Sequence, residues 1–113
     1  MKIVIFGLSI TSSWGNGHAT TYRALARALQ ARGHHIVFFE RDQEWYASNR
    51  DMPQPPFCRL HIYESWNEIL PVVRRELVDS EVAIVGSYFP DGVRAIEEVF
   101  DSRAEVKAFY DID

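Results

Sequence analysis

A chain of 113 residues is long enough for one hydrophobic core, and 47% apolar with 25% charged residues is a globular composition, which excludes a disordered, collagenous or coiled-coil chain. The formal net charge is -4 and the basic residues are scattered, which argues against nucleic-acid binding, because phosphates are held mainly by Lys and Arg. Cys58 is the only cysteine, which rules out an internal disulfide or a multi-cysteine zinc site, and no apolar run approaches the ~20 residues that span a bilayer.

The first apolar run, Lys2–Leu8, is too short for a helix and rich in β-branched residues. No small-residue cleavage site follows it, so it reads as a buried strand rather than a signal peptide, and the protein reads as cytoplasmic. A polar, glycine-containing stretch, Ser9–Gly17, leads into a helix over His18–Arg32. Tyr22, Leu25, Ala26 and Leu29 fall on one face of it, and Arg23, Arg27 and Gln30 on the other. Gly33 supplies the left-handed residue that stops it. Ile36–Phe39 is the second strand. Glu40–Phe57, with Pro53, Pro55 and Pro56, is a long connection with one helical turn near Trp45. Arg59–Tyr63 is the third strand. Ser65 and Glu68 form a capping box for the next helix. Its apolar face is Trp66, Ile69, Leu70, Val73 and Leu77, and Pro71 is expected to kink it or to mark its first turn. Val82–Val85, ending at Gly86, is the fourth strand. Asp91 is the N-cap of a helix that buries Val93, Ile96, Val99 and Phe100. Val106–Tyr110 is the fifth strand.

Strand–helix alternation of this kind predicts a Rossmann-like, doubly wound α/β fold: a three-layer sandwich with a five-stranded parallel sheet in order 3-2-1-4-5. Residues 1–113 read as a single domain, and the expectation is that it forms the first half of a longer two-domain polypeptide; a compact flavodoxin-like domain is the alternative. Ligands of such sheets sit beyond the carboxyl ends of the strands, where the strand order reverses. The candidate site is therefore built from Ser9–His18, Glu40–Tyr46, Tyr63–Trp66, Gly86–Asp91 and Asp111–Asp113.

The most informative stretch is Ser12-Ser13-Trp14-Gly15-Asn16-Gly17-His18-Ala19-Thr20. Gly15 and Gly17 let the backbone approach a ligand, the amides at the helix start favour an anionic or strongly polar group, and the hydroxyls of Ser12, Ser13, Thr20 and Thr21 suit sugar or phosphate oxygens. A P-loop fails, because His18 follows Gly17 where Lys is needed. A dinucleotide fingerprint is weak: Thr20 stands where the third Gly should be and the loop is several residues too long, although Glu40 lies where a ribose-binding carboxylate is found, about 20 residues on. His18 is a candidate general base, because imidazole titrates near neutrality. Asp111 or Asp113 is a candidate to orient it; exposed chain-end carboxylates are the plainer reading. Asp91 is read as a helix cap before an acceptor contact. Trp14 and Trp45 have aromatic faces that suit a pyranose, or pack under the loops. Four histidines at unrelated spacings do not make a metal site.

The stretch from Ser12 to Arg23 resembles the start of CgeB-like glycosyltransferases, as do Arg32-Gly33-His34, Phe39-Glu40-Arg41-Asp42 with Trp45-Tyr46, Val85-Gly86-Ser87-Tyr88-Phe89-Pro90-Asp91-Gly92 and Phe109-Tyr110-Asp111-Ile112-Asp113. The resemblance spans most of the chain and is clearer in these motifs than in residues 51–69. It implies the N-terminal, acceptor-side domain of a GT-B type glycosyltransferase, incomplete as a catalyst alone. The nucleotide-sugar donor would sit mainly on a second, C-terminal Rossmann-like domain, the partner would be a small-molecule or glycan acceptor, and no further cofactor is implied. Ser87, in the matching fourth-strand motif, joins the expected substrate-binding residues. A surface meant for the second domain would be exposed here and would favour self-association. The alternatives from other classes are a non-catalytic nucleotide or dinucleotide binding domain, and an interaction module that pairs with a partner subunit.

Overall fold

A computed structural model describes residues 1–112. Its elements follow in the order β1 (Lys2–Phe6), α1 (His18–Ala31), β2 (His35–Arg41), α2 (Glu44–Ala47), β3 (Arg59–Tyr63), α3 (Trp66–Val78), β4 (Val82–Gly86), α4 (Gly92–Asp101) and β5 (Val106–Tyr110). The strands form one sheet in the order β3-β2-β1-β4-β5, and all four pairings are parallel, with Ile3 beside Ile36 and Val82, Phe38 beside Leu60, and Val85 beside Phe109. The fold is the Rossmann-like α/β arrangement expected from the alternation. Among the described residues no helix is long and apolar enough to cross a membrane.

The central strands are apolar on both faces because both faces are covered. On one face Val4, Phe6, Val37, Phe39, Ala83 and Val85 meet Trp66, Val73 and Leu77 of α3 and Ala95 and Val99 of α4. On the other, Ile3, Ile5, Ile36 and Phe38 meet Tyr22 and Ala26 of α1. The strand order reverses between β1 and β4, and the Tyr22 ring fills the space above that point. A Cβ at Gly7, just past β1, would lie 2.5 Å from Phe38 and 2.7 Å from Tyr22, and a Cβ at Gly86, the end of β4, would overlap the Tyr22 hydroxyl. Glycine at both strand ends is what admits the ring.

Several local expectations are corrected. Ser65 precedes α3 without a side-chain capping hydrogen bond, and so does Asp91 before α4, because the Asp91 carboxylate is drawn to β2 and β3 instead. Pro71 lies inside α3, not in its first turn. Of the residues expected to bury α4, Val99 is buried and Ile96 partly so, but Val93 is 73% and Phe100 70% exposed. Both face outward, Phe100 beside β5, whose residues Val106–Phe109 are all exposed. Gly33 does adopt the left-handed conformation, with φ 88°.

Candidate functional site

The chain leaves β1 through a tight turn, and that turn is built on Glu40. β2 runs two residues beyond the expected end at Phe39, which carries Glu40 into the sheet at 0% exposure. The amides of Ile10 and Thr11 donate to Glu40 Oε1 at 2.7 and 3.1 Å, and the Thr11 hydroxyl donates to Oε2 at 2.8 Å. Arg50 donates to the Thr11 hydroxyl at 3.0 Å and to Asp42 at 2.7 Å, with its guanidinium 3.9 Å from Glu40. The expectation of a ribose contact is corrected: at 0% exposure the carboxylate is enclosed by the loop it holds, with Arg50 as its neighbouring cation.

The next residues are tied to the long connection after β2. Ser12 donates to the Asn49 carbonyl at 2.7 Å and accepts from the Trp14 amide at 3.2 Å. Ser13 gives its amide and hydroxyl to Asp51 at 3.1 and 2.7 Å, and Arg23 of α1 reaches the same carboxylate at 2.7 Å. Hydrogen bonds from Arg23 first, and from Ser13, hold the Asp51 carboxyl well below the usual carboxylate range. Asn16 accepts the Ala19 amide at 3.0 Å and so caps α1, although Gly17 occupies the boundary. Gly15 takes φ 64°. Trp14, Gly15, Gly17 and Thr20 are left exposed. Trp45, on α2, is also exposed and stacks edge-on against Tyr46.

His18 opens α1 and is 6% exposed. Its Nδ1 is buried with no hydrogen-bond partner, and so is the hydroxyl of Tyr22 one turn on. The imidazole lies between Tyr22, 6.3 Å away by ring centres, and Tyr88, which meets it edge-on at 5.8 Å. Burial lowers the pKa of His18, because desolvation disfavours the imidazolium. Burial, and then the neighbouring Tyr110, pushes the Tyr22 phenol well above its ordinary range. Tyr88 itself is 72% exposed and held at φ 64°, in the left-handed region where a residue with a side chain is strained.

The candidate partners of His18 are placed differently from one another. Asp111 is exposed, and no hydrogen bond joins it to His18 among the described residues. Asp113 lies outside the described residues. Ser87 binds the chain past β5: its hydroxyl donates to the Ile112 carbonyl at 2.7 Å and accepts the Ile112 amide at 2.8 Å. Asp91 accepts from Arg41 at 3.0 and 3.1 Å and from the Tyr63 hydroxyl at 2.7 Å, which joins the ends of β2 and β3 to the start of α4. The sheet end therefore brings together Ser12, Ser13, Asn16, Gly17 and His18 on one side of Tyr22, and Ser87 and Tyr88 on the other. Glu40 lies beneath the loop, and Trp45 and Asp91 lie toward β2 and β3.

Sequence reasoning missed Tyr22 and Tyr88 as site residues. Tyr22 sits on the buried helical face and was legible only as core. Tyr88 lies in the Gly86–Asp91 segment, but nothing in its residue type signals a positive φ. Arg41 falls in the expected Glu40–Tyr46 segment but was given no role; its place opposite Tyr63 follows from the β2–β3 register. Among the described residues no three His, Cys, Asp or Glu side chains are grouped to hold a metal ion. Cys58 is a partly buried free thiol that burial, with Glu40 second, pushes up to about 11, so it stays protonated. Set against protein-family models, curated proteins and solved structures, the chain matches none of them.

Proposed function

We propose that this chain is the acceptor-side domain of a CgeB-like, GT-B type glycosyltransferase, with the acceptor hydroxyl received beside His18 at the β1/β4 end of the sheet. The observation that carries the reading is the imidazole itself. It is enclosed, burial lowers its pKa, and it has a ring nitrogen with no protein partner, at the sheet edge where folds of this class generally take their ligands. A neutral imidazole is the form a general base needs. His18 accepts the proton of the acceptor hydroxyl as that oxygen bonds to the anomeric carbon of the donor sugar. The bond from that carbon to the nucleotide's phosphate oxygen breaks, and the nucleoside diphosphate leaves. The donor is held mainly by a second Rossmann-like domain. Tyr88, exposed over His18, is the side chain an entering acceptor displaces, and Trp14 offers it an exposed aromatic face. The resemblance of the Gly15-Asn16-Gly17-His18 and Val85–Gly92 motifs supplies the reaction class.

The dinucleotide-binding alternative is disfavoured by two features. Glu40 is enclosed, and the Tyr22 ring occupies the switch point where a pyrophosphate would approach the sheet. In the protein that carries both halves, consumption of a panel of nucleotide sugars tests the assignment. His18→Ala is expected to lower turnover by roughly 10²-fold or more, the usual size of a general-base contribution, with donor affinity little changed. His18→Asn is expected not to restore it. Near-normal turnover in both variants, with acceptor affinity alone reduced, would make His18 a loop-ordering residue.

A further inference from the structure

We infer that His18 Nδ1 and the Tyr22 hydroxyl act together as a clasp for a single alcohol hydroxyl group, Tyr22 donating to its oxygen and His18 accepting its proton. The two side chains stand one turn apart on α1 and so share a face of the helix, with ring centres 6.3 Å from each other. Both atoms are buried, and among the described residues neither has a hydrogen-bond partner, so they do not bond to each other either. One short segment passes both of them. A Cβ at Gly86 would overlap the Tyr22 hydroxyl, and Tyr88, two residues on, meets the imidazole edge-on at 5.8 Å. His18 is 6% and Tyr22 0% exposed, so bulk water does not serve them as it serves surface groups. Buried polar groups are nearly always paired, and two orphans on adjacent turns beneath one segment are satisfied together by one shared partner.

The residue types fix the chemistry of that partner. Burial pushes the Tyr22 phenol well above its ordinary range, so it keeps its proton and donates it. Burial lowers the His18 pKa from 6.5, so above that pH the ring is neutral and one of its nitrogens is bare. With Nδ1 as the bare nitrogen, the pair presents one donor and one acceptor. An alcohol hydroxyl is the complement, because it donates one hydrogen bond and accepts two. An ether has no proton for His18, and an ammonium has no lone pair for Tyr22. The consequence for reactivity rests on the transferase reading above. One lone pair of the hydroxyl oxygen takes the Tyr22 hydrogen bond, and the other attacks the anomeric carbon as the hydroxyl proton passes to Nδ1. The bond from that carbon to the phosphate oxygen breaks, its electron pair leaves on the nucleoside diphosphate, and the Tyr22 proton stays where it was. A neutral amine has a single lone pair; bound to Tyr22, none is left to attack. The clasp therefore selects alcohol acceptors over amine acceptors.

The ring nitrogen chemical shifts of His18 test the clasp without any donor sugar. They are followed in this chain well above pH 6.5, with isopropanol as the probe. Nδ1 is expected to be the bare nitrogen, and isopropanol to shift its resonance saturably. Isopropyl methyl ether and isopropylammonium, each lacking one of the two complements, are expected to bind roughly tenfold more weakly or worse. Tyr22→Phe removes only the unpartnered hydroxyl, and its amide spectrum checks that the fold is kept. It is expected to weaken isopropanol binding by roughly threefold to tenfold, the range of one hydrogen bond. A proton on Nδ1 overturns the inference while leaving Nε2 free to serve as the base, so the transferase reading survives that result. The absence of a saturable isopropanol response overturns the inference, and so does equal isopropanol binding by the wild type and Tyr22→Phe. The full pattern in this chain, with no nucleotide sugar consumed by the protein that carries both halves, supports the clasp and removes the transferase reading alone.

Discussion

The two flanks of the sheet's carboxyl end are built on opposite terms. On the β1/β2 flank two dense polar clusters, Glu40 with Thr11, Arg50 and Asp42, and Asp51 with Ser13 and Arg23, hold the loop, and among the described residues Gln43 Oε1 is the one buried side-chain atom there without a partner. On the β1/β4 flank His18 Nδ1 and the Tyr22 hydroxyl are both buried and unpartnered, and Tyr88 is held in a strained backbone conformation above them. Buried polar groups are nearly always hydrogen-bonded, and unpaired ones cost about 1–3 kcal/mol each. The first flank is therefore scaffold, which spends its hydrogen bonds on fixing the loop. The second keeps bonding capacity that a ligand can take up. Substitutions on the two flanks should separate stability from binding.

The largest effect is expected at Glu40. Glu40→Ala leaves two backbone amides, the Thr11 hydroxyl and the nearby Arg50 without their acceptor inside a fully enclosed site. A loss of about 3–5 kcal/mol in denaturant unfolding is expected, the scale for removing one partner of a buried charged cluster. Glu40→Gln keeps one acceptor oxygen and should lose less. A loss under about 1 kcal/mol for the alanine variant would mean the turn over β1 holds without Glu40, and the contrast between the flanks would fail.

Gly86→Ala comes next and probes the other flank. Its Cβ overlaps the Tyr22 hydroxyl, and the cost of overpacking is about 1–3 kcal/mol. Tyr22→Phe alone should be close to neutral, because it removes a hydroxyl that has no partner. In the double variant the nearest ring atom lies 3.1 Å from the new Cβ, a tight contact that small adjustments relieve, so much of the loss should be recovered. Equilibrium unfolding of the four proteins gives the coupling directly. Strict additivity would show that the Tyr22 ring does not limit what Gly86 can become.

These contrasts also explain what was legible in the sequence. The strand order, the glycine loop and the helix stop at Gly33 follow from apolar periodicity and residue type, which act locally. The destination of a carboxylate does not. Asp91 stands at a helix start, where capping is the local expectation, yet Arg41 and Tyr63 arrive from two other strands and outcompete the cap. Glu40 was placed in the connection after the second strand, because a charged residue after an apolar run usually ends a strand. The turn at Ile10 and Thr11 supplies the amides that make its burial tolerable, and those lie about thirty residues away along the chain. The segments that meet at the carboxyl edge of the sheet follow from the strand order, but the ring that fills the space between β1 and β4 there, Tyr22, was hidden among the core positions of an amphipathic helix. Val93 and Phe100 were assigned to the core by helical spacing, which reports which residues share a face and not whether anything covers that face.

The smallest expected effect, and the one most specific to the β1/β4 flank, is that of Tyr88→Gly. Glycine relieves the left-handed strain, worth roughly 1–2 kcal/mol for a residue with a side chain. It also adds unfolded-chain entropy that offsets about 0.5–1 kcal/mol of this gain. The net change in stability should stay within about 1 kcal/mol. The informative readout is the titration of His18, followed by its ring proton resonances. In the wild-type protein burial holds the His18 pKa below its ordinary 6.5. The unfolded chain then takes up this proton first, so His18's contribution to stability is fully present above that value and declines as the pH falls toward the folded-state pKa. Removing the Tyr88 ring, which meets the imidazole edge-on, opens His18 to water, and its pKa should rise toward 6.5. The acid loss of stability assigned to His18 should shrink by the same measure, because the folded and unfolded affinities for the proton converge. If the resonance titrates unchanged in Tyr88→Gly, the ring does not cover His18 in solution, and the burial that lowers the His18 pKa comes from other neighbours, Tyr22 among them.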